Sequence, residues 1–302
     1  MCIFTGSVEG VAKTKIFCGL VTPSTQITVY KNQVTLEKDR NGAISDEMAS
    51  HLIKQKNNYG FSAWSSYSHF SNFQELTSYA PSIPLSPVAM VLPVPTGDGD
   101  VSQIKMVDMT KNKDIFDKLS YATRPESITY SAFGSKGMDS LEIKRCGPYS
   151  YSVVPDVSSF EHLSKKRHAT DKFQISPHIP ELLKKHYPTG FAFLVCIIDD
   201  SAEYSPVAYV HPSDGKTLFV PTLHDRGHGE TVMTNDWDHQ IYTIDSDPET
   251  KTRDHRFMHS TIETARTVPK FDDFPLNSMD WKNLKSRQIS GYNCNSDLLV
   301  SV

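Results

Sequence analysis

No stretch of this chain is apolar for long. The longest run, Phe191 to Ile198, holds eight residues, whereas a membrane-spanning helix needs roughly 18 or more. The opening MCIFTGSVEG lacks the basic start and long apolar centre of a secretory signal. Asn-x-Ser/Thr sequons are absent. The five cysteines (Cys2, Cys18, Cys146, Cys196 and Cys294) form no CxxC pair and no disulfide-framework spacing. These absences predict a protein of a reducing, intracellular compartment, cytoplasmic or within a viral particle, with no membrane partner and with buried thiols. Cys196, inside FAFLVCIID, reads as a core residue. A basic excess is missing too: 31 Lys and Arg stand against 35 Asp and Glu, a net charge of −4, which argues against nucleic acid as a partner. The one dense basic run, Lys165-Lys166-Arg167-His168, reads as a solvated face. Neither GxGxxG nor GxSxG occurs. Asp214-Gly215-Lys216-Thr217 resembles the end of a P-loop, but Val210 stands where the upstream glycine is required.

What is present is mostly strand. A chain of 302 residues is long enough to bury a sizeable core. Cys2-Ile3-Phe4, KTKIFCGLV and TQITVYKNQVTL are rich in β-branched and aromatic residues. The GSVEG region reads as the turn after the first of these, and Pro23-Ser24 separates the other two. VAMVLPVP (88–95) reads as a buried strand, and Thr96-Gly97-Asp98-Gly99-Asp100 as a turn; its DxD is too small a ligand set for calcium. Further strands are expected at 127–133, 141–144, 149–154, 191–199, 205–210, 217–221 and 240–244. Helices are few. Ser45-Asp46-Glu47 starts a short one, Asp156 caps another over VSSFEHL, and Ser176-Pro177 opens a third running to about Tyr187. Ser246-Asp247-Pro248-Glu249 opens the last, which ends before Pro269. Strands and helices do not alternate regularly, so the fold class is α+β with mainly antiparallel sheets, in a single large domain over 1–302. Residues 38–86 read as an insertion or excursion; their Ser/Tyr/Phe-rich part, 60–86, is a candidate contact surface for a protein partner. Residues 270–302 read as an irregular C-terminal wrap.

Proton-moving and metal-binding side chains are densest from His211 to Tyr242, with four histidines and four aspartates. Pro221, Gly227 and Gly229 predict a loop there. His211, His224, His228 and His239 are candidate ligands for zinc or another divalent metal, which takes three or four N, S or O donors. Asp236 and Asp238 are candidate catalytic groups, orienting a ligand histidine or acting as base. Alternatively, the aspartates brace the loop and the histidines bond backbone carbonyls. His255, His259 and Glu263 recur at helical spacing, as a polar helix flank or an addition to the site. Cys2 is a candidate N-terminal nucleophile, which would use its own α-amino group as base. Three readings follow: a hydrolase with a His/Asp site, metal-binding or metal-free; a non-catalytic structural or interaction subunit of a large assembly, such as a virion or a multi-protein complex; and an N-terminal cysteine hydrolase.

Two resemblances bear on these readings. Met1-Cys2 followed by strand, turn and strand resembles choloylglycine hydrolases and class II amidotransferases. That hydrolase family carries an Arg and an Asp on the second strand, and the matching stretch here, IFCGLVT, has neither. MCIF, VAMVLPVP, GPYSYSVVPDVSSFEHL, SPVAYVHP with LFVPTLH, and DWDHQIY together resemble an uncharacterised family of microbial and viral proteins. This resemblance implies one domain with 38–86 inserted, and no particular activity.

Overall fold

The structure is a computed structural model. It describes residues 2–4, 8–36, 88–97, 100–123, 144–147, 149–160, 178–198, 202–203, 205–225, 234–244 and 260–302. The chain divides into two units, Met1–Leu36 with Pro87–Val302, and Glu37–Ser86; everything below concerns the first. The expected excursion at 38–86, its contact surface at 60–86, the helix from Ser45, the strand at 127–133, the basic run 165–168, the cap at Ser176-Pro177 and the helix start at Ser246 lie outside the described residues.

Two large sheets make up the unit. The first has six strands, in the order β12 (His224–Asp225), β1 (Cys2–Phe4), β4 (Val88–Pro95), β8 (Phe191–Ile198), β7 (Tyr149–Val154) and β6 (Lys144–Cys146). The second is ordered β14 (Ser260–Thr264), β15 (Leu284–Cys294), β13 (Thr234–Ile244), β2 (Val8–Thr22), β3 (Thr25–Leu36), β10 (Val207–Pro212) and β5 (Lys105–Val107), with β9 (Ala202–Glu203) also on β3. β11 (Thr217–Val220) and β16 (Leu298–Ser301) form a separate pair. The pairings are antiparallel except β1 with β12 and β13 with β2. The α+β class with mainly antiparallel sheets is therefore what the chain adopts.

Side-chain alternation explains the layering. On β2, Ile16 and Cys18 point one way and Phe17 the other; on β3, Tyr30 opposes Ile27 and Val29. All six are buried, so the second sheet is covered on both faces and its central strands carry apolar residues at successive positions. One face meets Met90, Leu92, Val94, Leu194 and Cys196 of the first sheet. The other meets Ile115, Phe116 and Leu119 of helix α1 (Ile115–Thr123), together with Phe271 and Trp281. The far face of the first sheet packs Val91, Phe193 and Val195 on Phe160 and on Ile179, Leu182 and Leu183 of helix α2 (His178–His186). The layers thus run helix, sheet, sheet, helix.

Four sequence expectations are corrected. Residues 8–10 belong to β2, pairing with Leu36 and Thr35 across a register shift, so the strand begins inside the expected turn. β13 starts at Thr234, so Asp236, Asp238 and His239 lie on a strand rather than in a loop; its eleven-residue ladder with β15 fixes this. Residues 260–264 are strand, not helix: all five pair with β15, and Thr261, Ile262 and Thr264 are β-branched. Residues 284–294 and 298–301 are strands, not an irregular wrap. Helix α1 was not expected at all, although Ile115, Phe116, Leu119 and Ala122 form its buried stripe.

The β2–β3 turn rests on the β10–β11 turn. Ser213 N donates to Ser24 O at 3.0 Å, and Gly215, at φ 72°, lies so close that an added Cβ would stand 2.2 Å from Pro23 O. Gly97 has a similar φ of 65° but open space around it. Gly215→Ala should therefore cost about 3 kcal/mol of stability and Gly97→Ala about 1 kcal/mol. Equal midpoints for the two variants in denaturant unfolding would show that the turn contact does not constrain the fold.

Candidate functional site

The site is built from a segment that has little sheet of its own. β12 is two residues long, so the backbone of 222–224 needs other partners. The Asp297 carboxylate accepts from Thr222 N and Leu223 N, each at 2.9 Å, through one oxygen. Its other oxygen accepts from the Tyr187 hydroxyl. Thr222 Oγ1 donates to Ser296 O at 2.7 Å. The Asn295 amide accepts from His224 N at 2.8 Å and donates to His224 O at 2.7 Å, which reproduces a β-pair with one side chain. Gln26 does the same for β11: it accepts from Phe219 N at 3.0 Å and donates to Phe219 O at 2.7 Å.

These bonds hold His224 over His239. The two Nε2 atoms are 2.6 Å apart and the rings meet edge to face, with centroids 4.6 Å apart. Trp237, two residues before His239 and therefore on the same strand face, lies 4.3 Å from it ring to ring. Two neutral imidazoles at this separation share one proton: one Nε2–H donates and the other Nε2 accepts. Tetrahedral zinc, at about 2.05 Å per nitrogen, would hold its ligand nitrogens roughly 3.3 Å apart. The observed separation is that of a hydrogen bond. Both rings are buried, and burial holds the His239 imidazolium down to a pKa of about 3.

His211 is also buried, but elsewhere. It sits on β10, with β2 and β3 between β10 and β13, and it is also displaced along the strands: His211 lines up through Gln26 with Leu20 of β2, whereas Gln240, next to His239, pairs with Lys15. Its Nδ1 donates to Pro212 O at 2.8 Å, which leaves Nε2, 3.4 Å from Thr28 Oγ1, to accept. Burial lowers its pKa to about 4, against the raising effect of the Pro212 carbonyl.

The aspartates face the other way. Asp236 and Asp238 alternate with Trp237 and His239 along β13 and are exposed. Asp238 accepts from Lys13 N, where β2 bulges and Lys13 takes a φ of 53°. On β13, strand alternation puts Asp236 and Asp238 on the face opposite His239. Asp214 closes a turn by accepting from Lys216 N at 2.8 Å and Thr217 N at 2.9 Å, and these bonds hold its carboxyl below the usual range. Cys2 lies on β1 in register with His224. Glu263 is on strand β14, so the helical triplet with His255 and His259 does not form; those two histidines and His228 lie outside the described residues. Among the described residues, no three His, Cys, Asp or Glu side chains gather closely enough to hold a metal ion. Asn295, Asp297 and Gln26, which position the histidines and their loop, carry no sequence signal beyond being polar.

No helix among the described residues is long and apolar enough to cross a membrane. No family model matches the chain. Among solved structures, it is similar to the crystal structure of baculovirus P35, at 12% identity over 100% of this chain and 99% of that one, with a TM-score of 0.49. It is also similar to the P35 of the caspase-8/P35 complex, at 12% identity over 96% of each chain and a TM-score of 0.42. A mutated baculovirus P35 after caspase cleavage matches at 12% identity over 96% of this chain and 99% of that one, with a TM-score of 0.41.

Burial of neutral His211 and His239 sets the acid side of the stability profile. Both folded pKa values lie below the ordinary 6.5, so below about pH 6.5 the unfolded chain takes up protons that the folded chain refuses. Stability should be nearly full above about pH 7 and fall by about 2 kcal/mol per histidine between about pH 7 and about pH 5. Denaturant titrations of wild type and His211→Gln should show a shallower fall in the variant; parallel profiles would mean that His211 titrates normally when folded.

Proposed function

We propose that this chain is a non-catalytic protein that works by binding another protein. What supports the reading is one regular face of β13 and β15. Asp236 pairs with Tyr292, Asp238 with Ser290 and Gln240 with Gln288, all six side chains on the same side. Among the described residues, helix α1 and Trp281 cover that face at its other end, around Tyr242 and Leu284. Tyr292 is 82% exposed. A rigid strand pair presenting an aromatic among short polar groups offers a partner contact area at little entropic cost. The imidazoles, which a hydrolytic site would need at the surface beside a carboxylate, lie on the opposite face.

The test is partner binding by wild type and Tyr292→Ala, by pull-down and calorimetry, with thermal melting to show that the variant folds. Caspase-8 is one defined probe, since P35 is solved in complex with it; the fold likeness does not itself argue for that choice. A partner bound by wild type and weakened about tenfold or more in Tyr292→Ala supports the reading. Ester or amide hydrolysis by the wild type that disappears in His224→Gln and persists in Tyr292→Ala overturns it.

A further inference from the structure

The two imidazoles join the two large sheets. His224 belongs to β12, at an edge of the six-stranded sheet, and His239 to β13 in the eight-stranded one. We propose that this pair is an acid-sensitive latch: one shared proton holds the edge strand β12 against β13, and protonation of both rings parts them and frees β12 while the central strands stay folded. This inference stands apart from the protein-binding reading.

The chemistry is a count of protons. With neutral rings, one Nε2–H faces one lone pair. With both rings protonated, two N–H donors and two positive charges face each other across 2.6 Å, an arrangement that has to open. Among the described residues, the groups around the pair do not offset that charge; on β15, Ile289 pairs with His239, and buried Arg287, on the same strand face, is itself positive. From β13 there is Trp237, with Asp236 and Asp238 turned to the opposite face. From β2 there is buried Thr14, next to the Lys15 that pairs with Gln240. From the chain segments beside β12 there are Thr222, Asn295 and Asp297, and the Asp297 carboxylate is already engaged by two amides and the Tyr187 hydroxyl.

What opens is local because β12 is short. It has two register pairs with β1, whereas β4 and β8 pair over eight residues in the middle of the sheet. Short edge elements open at far lower free energy than central strands.

Hydrogen exchange of the full-length chain, read by mass spectrometry at about pH 7 and about pH 5 and corrected for intrinsic rates, tests the latch. The expected result is exchange at 222–225 at least about tenfold faster at the lower pH and still far faster than at 88–95 and 191–198, which remain protected up to global unfolding. In the double variant His224→Gln/His239→Gln, whose amides can bond each other but cannot titrate, the response should vanish. Equal protection at both pH values, simultaneous loss of protection in all strands, or a variant that responds like wild type would each overturn the proposal. If the variant does not fold, the wild-type exchange profile between about pH 7 and about pH 4 decides: a rate at 222–225 that climbs as the pH falls through the ordinary imidazole range near 6.5 supports the latch, and a climb confined to the carboxylate range below about pH 4.5 overturns it.

Discussion

Two side-chain amides and one carboxylate stand in for a β-ladder between Phe219 and His224, and the arrangement of the site follows from that substitution. Gln26 pairs with the backbone of Phe219, Asn295 with that of His224, and Asp297 with the amides of Thr222 and Leu223. Each is a bond between buried or half-buried groups, where an unmade hydrogen bond costs about 1–3 kcal/mol. The chain can therefore cross between the two sheets without regular pairing and without orphaned amides. That crossing carries His224 to its place over His239. It also explains why the C-terminal segment matters: Asn295 and Asp297 lie between β15 and β16, so two long-range strand pairings must form before the clamp exists.

Much of the fold is legible in the sequence where the pattern is apolar. VAMVLPVP, FAFLVCII and TQITVYKNQVTL announce themselves as strands because burial on both sheet faces demands apolar or β-branched residues at successive positions. The Leu284–Cys294 strand does not, because Arg287, on the same face as Ile289, is buried though charged, and Ser286 is buried on the other face, which it shares with exposed Gln288, Ser290 and Tyr292. A hydrophobicity pattern cannot mark a strand whose buried residues are polar. Its identity comes from the eleven-residue pairing with β13, a contact between segments distant in the chain. The Ser260–Thr264 strand has the same origin, since local signals there favoured continuing a helix and tertiary pairing prevailed.

The candidate site was legible in composition and not in geometry. Residue density drew attention to 211–242, and that segment does supply two of the buried histidines that meet, His224 and His239. The stretch Asp236-Trp237-Asp238-His239-Gln240-Ile241 is a period-two strand once histidine is counted among the inward residues. Counted as polar, histidine makes the same stretch read as a loop in which aspartates and histidines adjoin. On the strand the same alternation separates them by a sheet's thickness.

Magnitudes decide what the histidine pair does at neutral pH. Burying an isolated charged imidazole costs several kcal/mol, whereas two neutral rings sharing a proton satisfy each other's Nε2 and bury aromatic surface beside Trp237. The pair thus contributes to stability as long as it stays uncharged, which makes it a poor general base and a sound joint between sheets. A base poised for catalysis near neutrality needs a pKa close to the working pH; the deep depression at His239 lies on the wrong side of that requirement. The same burial that removes the pair from hydrolytic chemistry is what makes the joint between β12 and β13 depend on protonation.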